Sequence, residues 1–270
     1  MKIVLKNGVL HNSAAVSLAD VSSANIVGYS TLEINKSIAI LAINFENVAG
    51  GSLPIQQILP KVDGMTAGNT LSAADNIQVM KDDGTYEYYY LSNGYNGKSA
   101  TPATTDKWVN NTAKTVATPD TIANGKAFWY VSRAFESNPE AKPYNITVAG
   151  QVLSAEVASR EIALEYMLVA NPYPCDVKLN GGVNVTKGAT YGNTLSSADN
   201  LQIMNSDGTY AYYYLSNGYN GKSATPATEN KWVNNASKTI PTEDSFPAGR
   251  GAWFVSRSSD ATVEFVNPVK

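Results

Sequence analysis

Residues Tyr88–Thr104 read YYYLSNGYNGKSATPAT, and the same seventeen letters return at Tyr212–Thr228. Displacing the sequence by 124 positions aligns Gly64–Arg133 with Gly188–Arg257 without a gap, with 47 identities over 70 positions. Several substitutions inside that block keep size and polarity: Ile77 becomes Leu201, Val79 becomes Ile203 and Tyr130 becomes Phe254. One unit has been built twice. Continued backwards at the same displacement, the register sets Ile38-Ala39 against Ile162-Ala163 and Asn47 against Asn171, with few identities. The second copy lacks about seven residues near Ser137–Lys142, after which Ile146–Val152 answers to Val263–Val269. These readings divide the chain into an N-terminal extension (1–25), a first copy (26–149) and a second copy (150–270). The join has no Pro- or Ser-rich linker, which predicts closely abutting units joined through a continuous strand.

Within each copy the pattern is that of strands. Ser37–Phe45 is apolar on both alternating faces and reads as a central buried strand, with Ile162–Ala170 as its counterpart. Asn76–Met80, the acidic turn Lys81–Gly84 and Thr85–Leu91 form a hairpin. In it Tyr86, Tyr88 and Tyr90 share one face, and Glu87 and Tyr89 the other. The loop Ser92–Asp106, a short strand at Trp108, Lys126–Arg133 and Tyr144–Val152 complete the unit. Helical periodicity is absent except for one turn at Ser72–Asp75. The predicted fold is all-β: two tandem homologous β-sandwich-like modules with an N-terminal β-strand extension.

Composition narrows the functions. Only 16% of the 270 residues are charged, against roughly 25% in ordinary soluble domains. Net charge is −3 and the lysines are scattered, so the basic footprint of a nucleic-acid partner is missing. No apolar run reaches the ~18 residues of a membrane-spanning helix. Cys175 is the single cysteine and His11 the single histidine, which leaves no zinc site and no Ser-His-Asp or Cys-His pair. The acids present in both copies are Asp75/Asp199, Asp83/Asp207 and Asp120/Asp244, and turn or cap roles account for Asp75 and Asp83. Calcium at Asp75, Asp82 and Asp83 is disfavoured because KDDGT becomes NSDGT in the second copy. The sequence therefore predicts no enzyme, no metal and no cofactor.

Three stretches of the second copy, LVANPYP (Leu168–Pro174), SADNLQIMNSDGTYAYYY and GRGAWFVSR, resemble a β-rich module of secreted and outer-surface bacterial proteins. The first copy departs from it with Asn47-Val48-Ala49-Gly50 in place of Asn-Pro-Tyr-Pro. The resemblance implies an extracellular or cell-surface β module and transfers no site residues.

Two functional readings follow. In the first, the segment MKIVLKNGVL, read as mature chain, supplies a donor strand (Ile3, Val4, Leu5, Val9 and Leu10) to a neighbouring copy of the protein. Repetition of that contact builds a homopolymeric fibre or surface array. In the second, Tyr95, Asn96, Lys98 and Trp108, repeated at Tyr219, Asn220, Lys222 and Trp232, form two equivalent platforms for glycans. There the aromatics would stack on sugar rings and the polar groups bond hydroxyls. The same loops also suit a subunit contact.

Overall fold

A computed structural model describes residues 4–5, 26–258 and 260–269. The first unit contains β1 (Val4–Leu5), β2 (Ile26–Ile34), β3 (Ile38–Ala42), β4 (Leu53–Pro54), the helical turn α1 (Ile55–Ile58) and β5 (Asn76–Met80). It continues with β6 (Tyr86–Ser92), β7 (Lys107–Asn110), β8 (Thr121–Ile122), β9 (Ala127–Val131), the short helix α2 (Arg133–Ser137) and β10 (Tyr144–Gln151). The second contains β11 (Val157–Ile162), β12 (Tyr166–Ala170), β13 (Val177–Lys178), the turn α3 (Leu179–Gly182) and β14 (Val183–Lys187). After these come β15 (Asn200–Met204), β16 (Tyr210–Ser216), β17 (Lys231–Asn234), β18 (Ser245–Phe246), β19 (Gly251–Val255) and β20 (Ala261–Val266). The fold is all-β, with two homologous sandwich-like modules.

Each module packs a five-stranded antiparallel sheet on a three-stranded one. The large sheets run β3-β9-β5-β6-β7 and β12-β19-β15-β16-β17, and the small ones β1-β2-β10 and β11-β20-β14. Alternation supplies the first core: Leu32, Ile34, Ile146 and Val148 from the small sheet meet Leu41, Ile77, Tyr89, Leu91, Phe128 and Tyr130 from the large one. The second repeats this with Ile162, Val263 and Phe265 against Val169, Leu201, Tyr213, Leu215 and Phe254. The predicted hairpin forms with Asn76 opposite Tyr90 and Met80 opposite Tyr86. Its turn closes because Asp83 Oδ1 accepts from the Thr85 amide at 2.9 Å and the Thr85 hydroxyl at 2.6 Å.

Several expectations need correction. β3 is an edge strand of its sheet, not a central one. From Ala39 to Ala42 it is buried on both faces because its inner face meets the core and its outer face meets the other module. The ungapped backward register also fails. Ile38 pairs with Val131 and Tyr166 with Val255, so the first strands of the two large sheets stand 128 apart. β4 and β13 stand 124 apart again. The first copy therefore holds four extra residues between them. They fall in the loop through Asn47, where Gly50 (φ +87°) and Gly51 (φ +84°) take left-handed turns. The seven residues missing from the second copy fall at α2 and the loop after it. β10 runs to Gln151, so the first unit extends past residue 149, and residues 152–156 link two separate sheets without a continuous strand.

The modules meet through the outer faces of their large sheets. Ile40, Ala42, Met80, Tyr86, Ala127 and Trp129 pack against Leu168, Ala170, Met204, Tyr210 and Trp253. The two tryptophans, equivalent in the repeat, approach with ring centroids 6.3 Å apart. Equivalent side chains thus face one another, as in a two-fold symmetric dimer joined into one chain. Asp82 strengthens the margin by bonding Arg160 at 2.7 Å and Lys126 at 3.2 Å.

Candidate functional site

The loop after β6 is built from local bonds. Asn96 Oδ1 accepts from the amides of Lys98 (2.9 Å) and Ser99 (2.8 Å). Asn93 Oδ1 accepts from the Tyr95 amide, and the Ser92 and Thr104 hydroxyls lie 2.9 Å apart in the buried base. Gly94 and Gly97 supply the positive φ that these tight turns need. Asn220, Asn217, Ser216 and Thr228 repeat every one of these bonds. Tyr95 and Tyr219 stand out from the loops, 40% and 39% exposed, and Lys98 and Lys222 are exposed beside them.

The expected platform does not assemble around them. Trp108 and Trp232 are 1% and 2% exposed. Their indole N–H groups donate to the carbonyls of Leu59 (2.5 Å) and Val183 (2.7 Å). Both are core residues, and neither can offer a face to a ligand. The acceptor oxygens of Asn96 and Asn220 are committed to holding the loops. Tyr95, Lys98, Tyr219 and Lys222 remain as exposed groups without the tryptophans. Of the donor-strand residues, Val4 and Leu5 pair antiparallel with Val27 and Ile26 of the same chain. Ile3, Val9 and Leu10 lie outside the described residues.

The tyrosines of β6 have three different fates. Tyr86 sits in the module interface, Tyr88 is exposed, and Tyr90 is buried under Leu71 and Ala74. Tyr89, on the opposite face, enters the core.

The acids serve the fold. Asp75 lies buried beneath the first sandwich and accepts from the Arg133 amide (2.7 Å), the Tyr130 hydroxyl (2.8 Å) and the Tyr144 hydroxyl (3.0 Å). Asp199 accepts from the amides of Arg257 (2.6 Å) and Thr190 (2.8 Å). Burial pushes both carboxyls above their ordinary range, against those hydrogen bonds. Asp82 is held below it by Arg160 and Lys126, and Asp83 and Asp207 by their threonine partners. Among the described residues no cluster of three metal-ligating side chains occurs.

These shifts set a pH profile. The folded chain keeps the Asp75 and Asp199 protons at a pH where the unfolded chain has released them. Their contribution is fully present below the ordinary value of 3.8 and is lost as pH rises through the folded values. Asp82, Asp83 and Asp207 contribute above 3.8 and lose that contribution as pH falls through their lowered values. Stability to urea is expected to rise from pH 7 towards about pH 4 and to fall below it. Denaturation curves at about pH 7, 4 and 2.5 check this, and a steady decline from neutrality would contradict it.

Among the recesses that the described residues line are these two. One, of about 180 Å³, is bounded by Glu46, Asn124 and Lys126 of the first module and by Arg160, Pro172 and Phe265 of the second. The other, a groove of about 330 Å³, lies on the outer face of the second large sheet beside Tyr166. Compared with known protein families, curated proteins and solved structures, the chain matches none.

Proposed function

We propose that this chain is a non-enzymatic, extracellular structural subunit that assembles by β-strand addition through its N-terminal segment. The observation that carries the reading is the seat of β1. Val4–Leu5 adds to the edge of β2 opposite β10, and residues 6–25 separate the two partners. Pairing within one chain must close that connection, and at high concentration the same strand can instead add to the β2 edge of a neighbour. The β2 edge is then the acceptor. From Gly28 to Ile34 it has no strand partner on that side among the described residues.

Recurrent exposed apolar positions support the same reading. Tyr29 and Val157 occupy equivalent places 128 apart, and Val116 and Ile240 places 124 apart, all exposed. Tyr29 and Val157 belong to the stretch where the copies have drifted furthest. Retention of an apolar surface residue there fits a contact with other subunits. Low charge leaves sheet edges weakly defended against pairing. The buried acids, with their backbone and tyrosine partners, have structural work to do, which supports the non-enzymatic part of the reading.

Directly paired Cα atoms of antiparallel strands lie within disulfide range. A Val4→Cys/Val27→Cys variant, made in a Cys175→Ser background, is expected to form disulfide-linked ladders on oxidation at high concentration. Deletion of residues 1–20 is expected to leave monomers by light scattering and electron microscopy. Assemblies that persist without residues 1–20, or a parent chain that stays monomeric when concentrated, would overturn the reading.

A further inference from the structure

The groove beside Tyr166 has the chemistry that the aromatic loops lack. Its floor crosses three strands of the second large sheet: Tyr166 pairs with Val255, and Val255 with Asn200. Gln202 lies one pleat further along β15. Asn200 is fixed, donating to the Leu195 carbonyl at 3.0 Å and accepting from Gln202 Nε2 at 3.1 Å. That bond orients Gln202 and leaves its Oε1 free. Asn235 and Lys238 enter from the loop after β17. Among the described residues no hydrogen bond occupies Gln202 Oε1, the Asn235 carboxamide or Lys238 Nζ. Tyr166, 51% exposed, forms the opposite wall. A volume of about 330 Å³ falls at the small end of ligand sites.

An internal control accompanies the groove. The corresponding places in the first module hold Thr70, Leu71, Ser72, Asn76, Gln78, Asn111, Lys114, Val131 and Arg133, each identical to its counterpart among the lining residues. The one exchange is at the wall, where Ile38 stands in the place of Tyr166.

We propose that the groove is a carbohydrate-binding site. The C–H face of a sugar ring lies on the Tyr166 ring, and its hydroxyls bond Gln202 Oε1, the Asn235 carboxamide and Lys238. Carbohydrate is the class that needs an apolar wall together with closely set donors and acceptors of both kinds. Tyr166 supplies the wall, two amides and an ammonium supply the polar set, and no net negative charge lines the groove to oppose sugar carboxylates. The first module has the polar set without the aromatic wall, so one chain carries one site.

Calorimetric titration of the full chain with cellotetraose, chitotetraose and tetragalacturonate tests this. Saturable binding of at least one is expected, at about one ligand per chain. Tyr166→Ala is expected to weaken it about tenfold and Tyr166→Phe to preserve it, as an aromatic contact requires. Ile38→Tyr is expected to create a second site. Tyr166 is a surface residue, and an unchanged thermal midpoint in each variant confirms the fold. No saturable binding of any of the three, or equal binding by the parent and Tyr166→Ala, overturns the proposal. Neither result bears on assembly through residues 1–20.

Discussion

Trp108→Ala is expected to lower the unfolding free energy by about 3–5 kcal/mol, among the largest effects a single core truncation produces. The side chain is fully enclosed between the two sheets, with its ring edge-on to Tyr130 at 6.4 Å between centroids. Truncation removes that apolar burial and leaves a cavity that the surrounding strands can only partly close. It also strands the Leu59 carbonyl, which now accepts the indole N–H at 2.5 Å. A buried acceptor without its donor accounts for about 1–3 kcal/mol of that loss. The backbone around the tryptophan stays in place, because Gln56 brackets it: its Nε2 donates to the Trp108 carbonyl at 2.7 Å and its Oε1 accepts the Trp108 amide at 3.1 Å. The cavity therefore cannot be relieved by a strand shift. Trp232→Ala should cost a similar amount, since Asn180 and Val183 repeat the bracket and the acceptor. Tyr95→Ala, on the exposed loop, should stay within about 0.5 kcal/mol. Urea denaturation of the three variants separates core from surface. A Trp108→Ala protein as stable as Tyr95→Ala would contradict the placement of the indole.

That contrast shows where the sequence was legible. The hairpin was readable because an Asp-Gly turn stands between two alternating segments, and both local signals agree with the final pairing. Trp108 reads as part of a surface platform because it follows a polar, glycine-rich loop. Its partner, the Leu59 carbonyl, is 49 residues away, and nothing local announces it. β3 looked central for a related reason: Ile38–Ala42 is apolar on both faces, and one sequence does not distinguish a neighbouring strand from a neighbouring module as the cover. The ungapped register conceals Tyr166. At a displacement of 124 it falls opposite Ala42. Only the strand pairings, which set Tyr166 against Val255 and Ile38 against Val131, reveal that an aromatic and an aliphatic residue hold the same exposed place. Alternation along YMLVA, with its outward Tyr, Leu and Ala matching Ile38, Ile40 and Ala42, was the signal that could have found it.

The second large effect is expected at the module interface, where the two copies have ceased to be identical. Ala127 and Gly251 are equivalent positions, and they face each other across the pseudo-two-fold axis. A Cβ placed on Gly251 would stand 2.5 Å from the Ala127 Cβ and 2.6 Å from Ile40 Cγ2. Both neighbours are stiff: one is a methyl on a paired strand, the other a branched side chain in a packed layer. The site has room for one methyl group, and the first copy supplies it. Gly251→Ala is therefore expected to destabilise the protein by about 1–3 kcal/mol through overpacking. Ala127→Gly should cost less, about 0.5–1 kcal/mol, from added chain freedom in a strand. The double variant moves the same methyl to the other side of the axis. It relieves the contact with Ala127 but keeps the one with Ile40 Cγ2, so it should recover part of the loss, giving a favourable coupling of about 0.5–1 kcal/mol in a double-mutant cycle. Strict additivity would mean that the two residues do not compete for one space. The measurement thus tests whether the interface is the joined form of a symmetric dimer, which can hold an odd methyl group only once its two halves are allowed to differ.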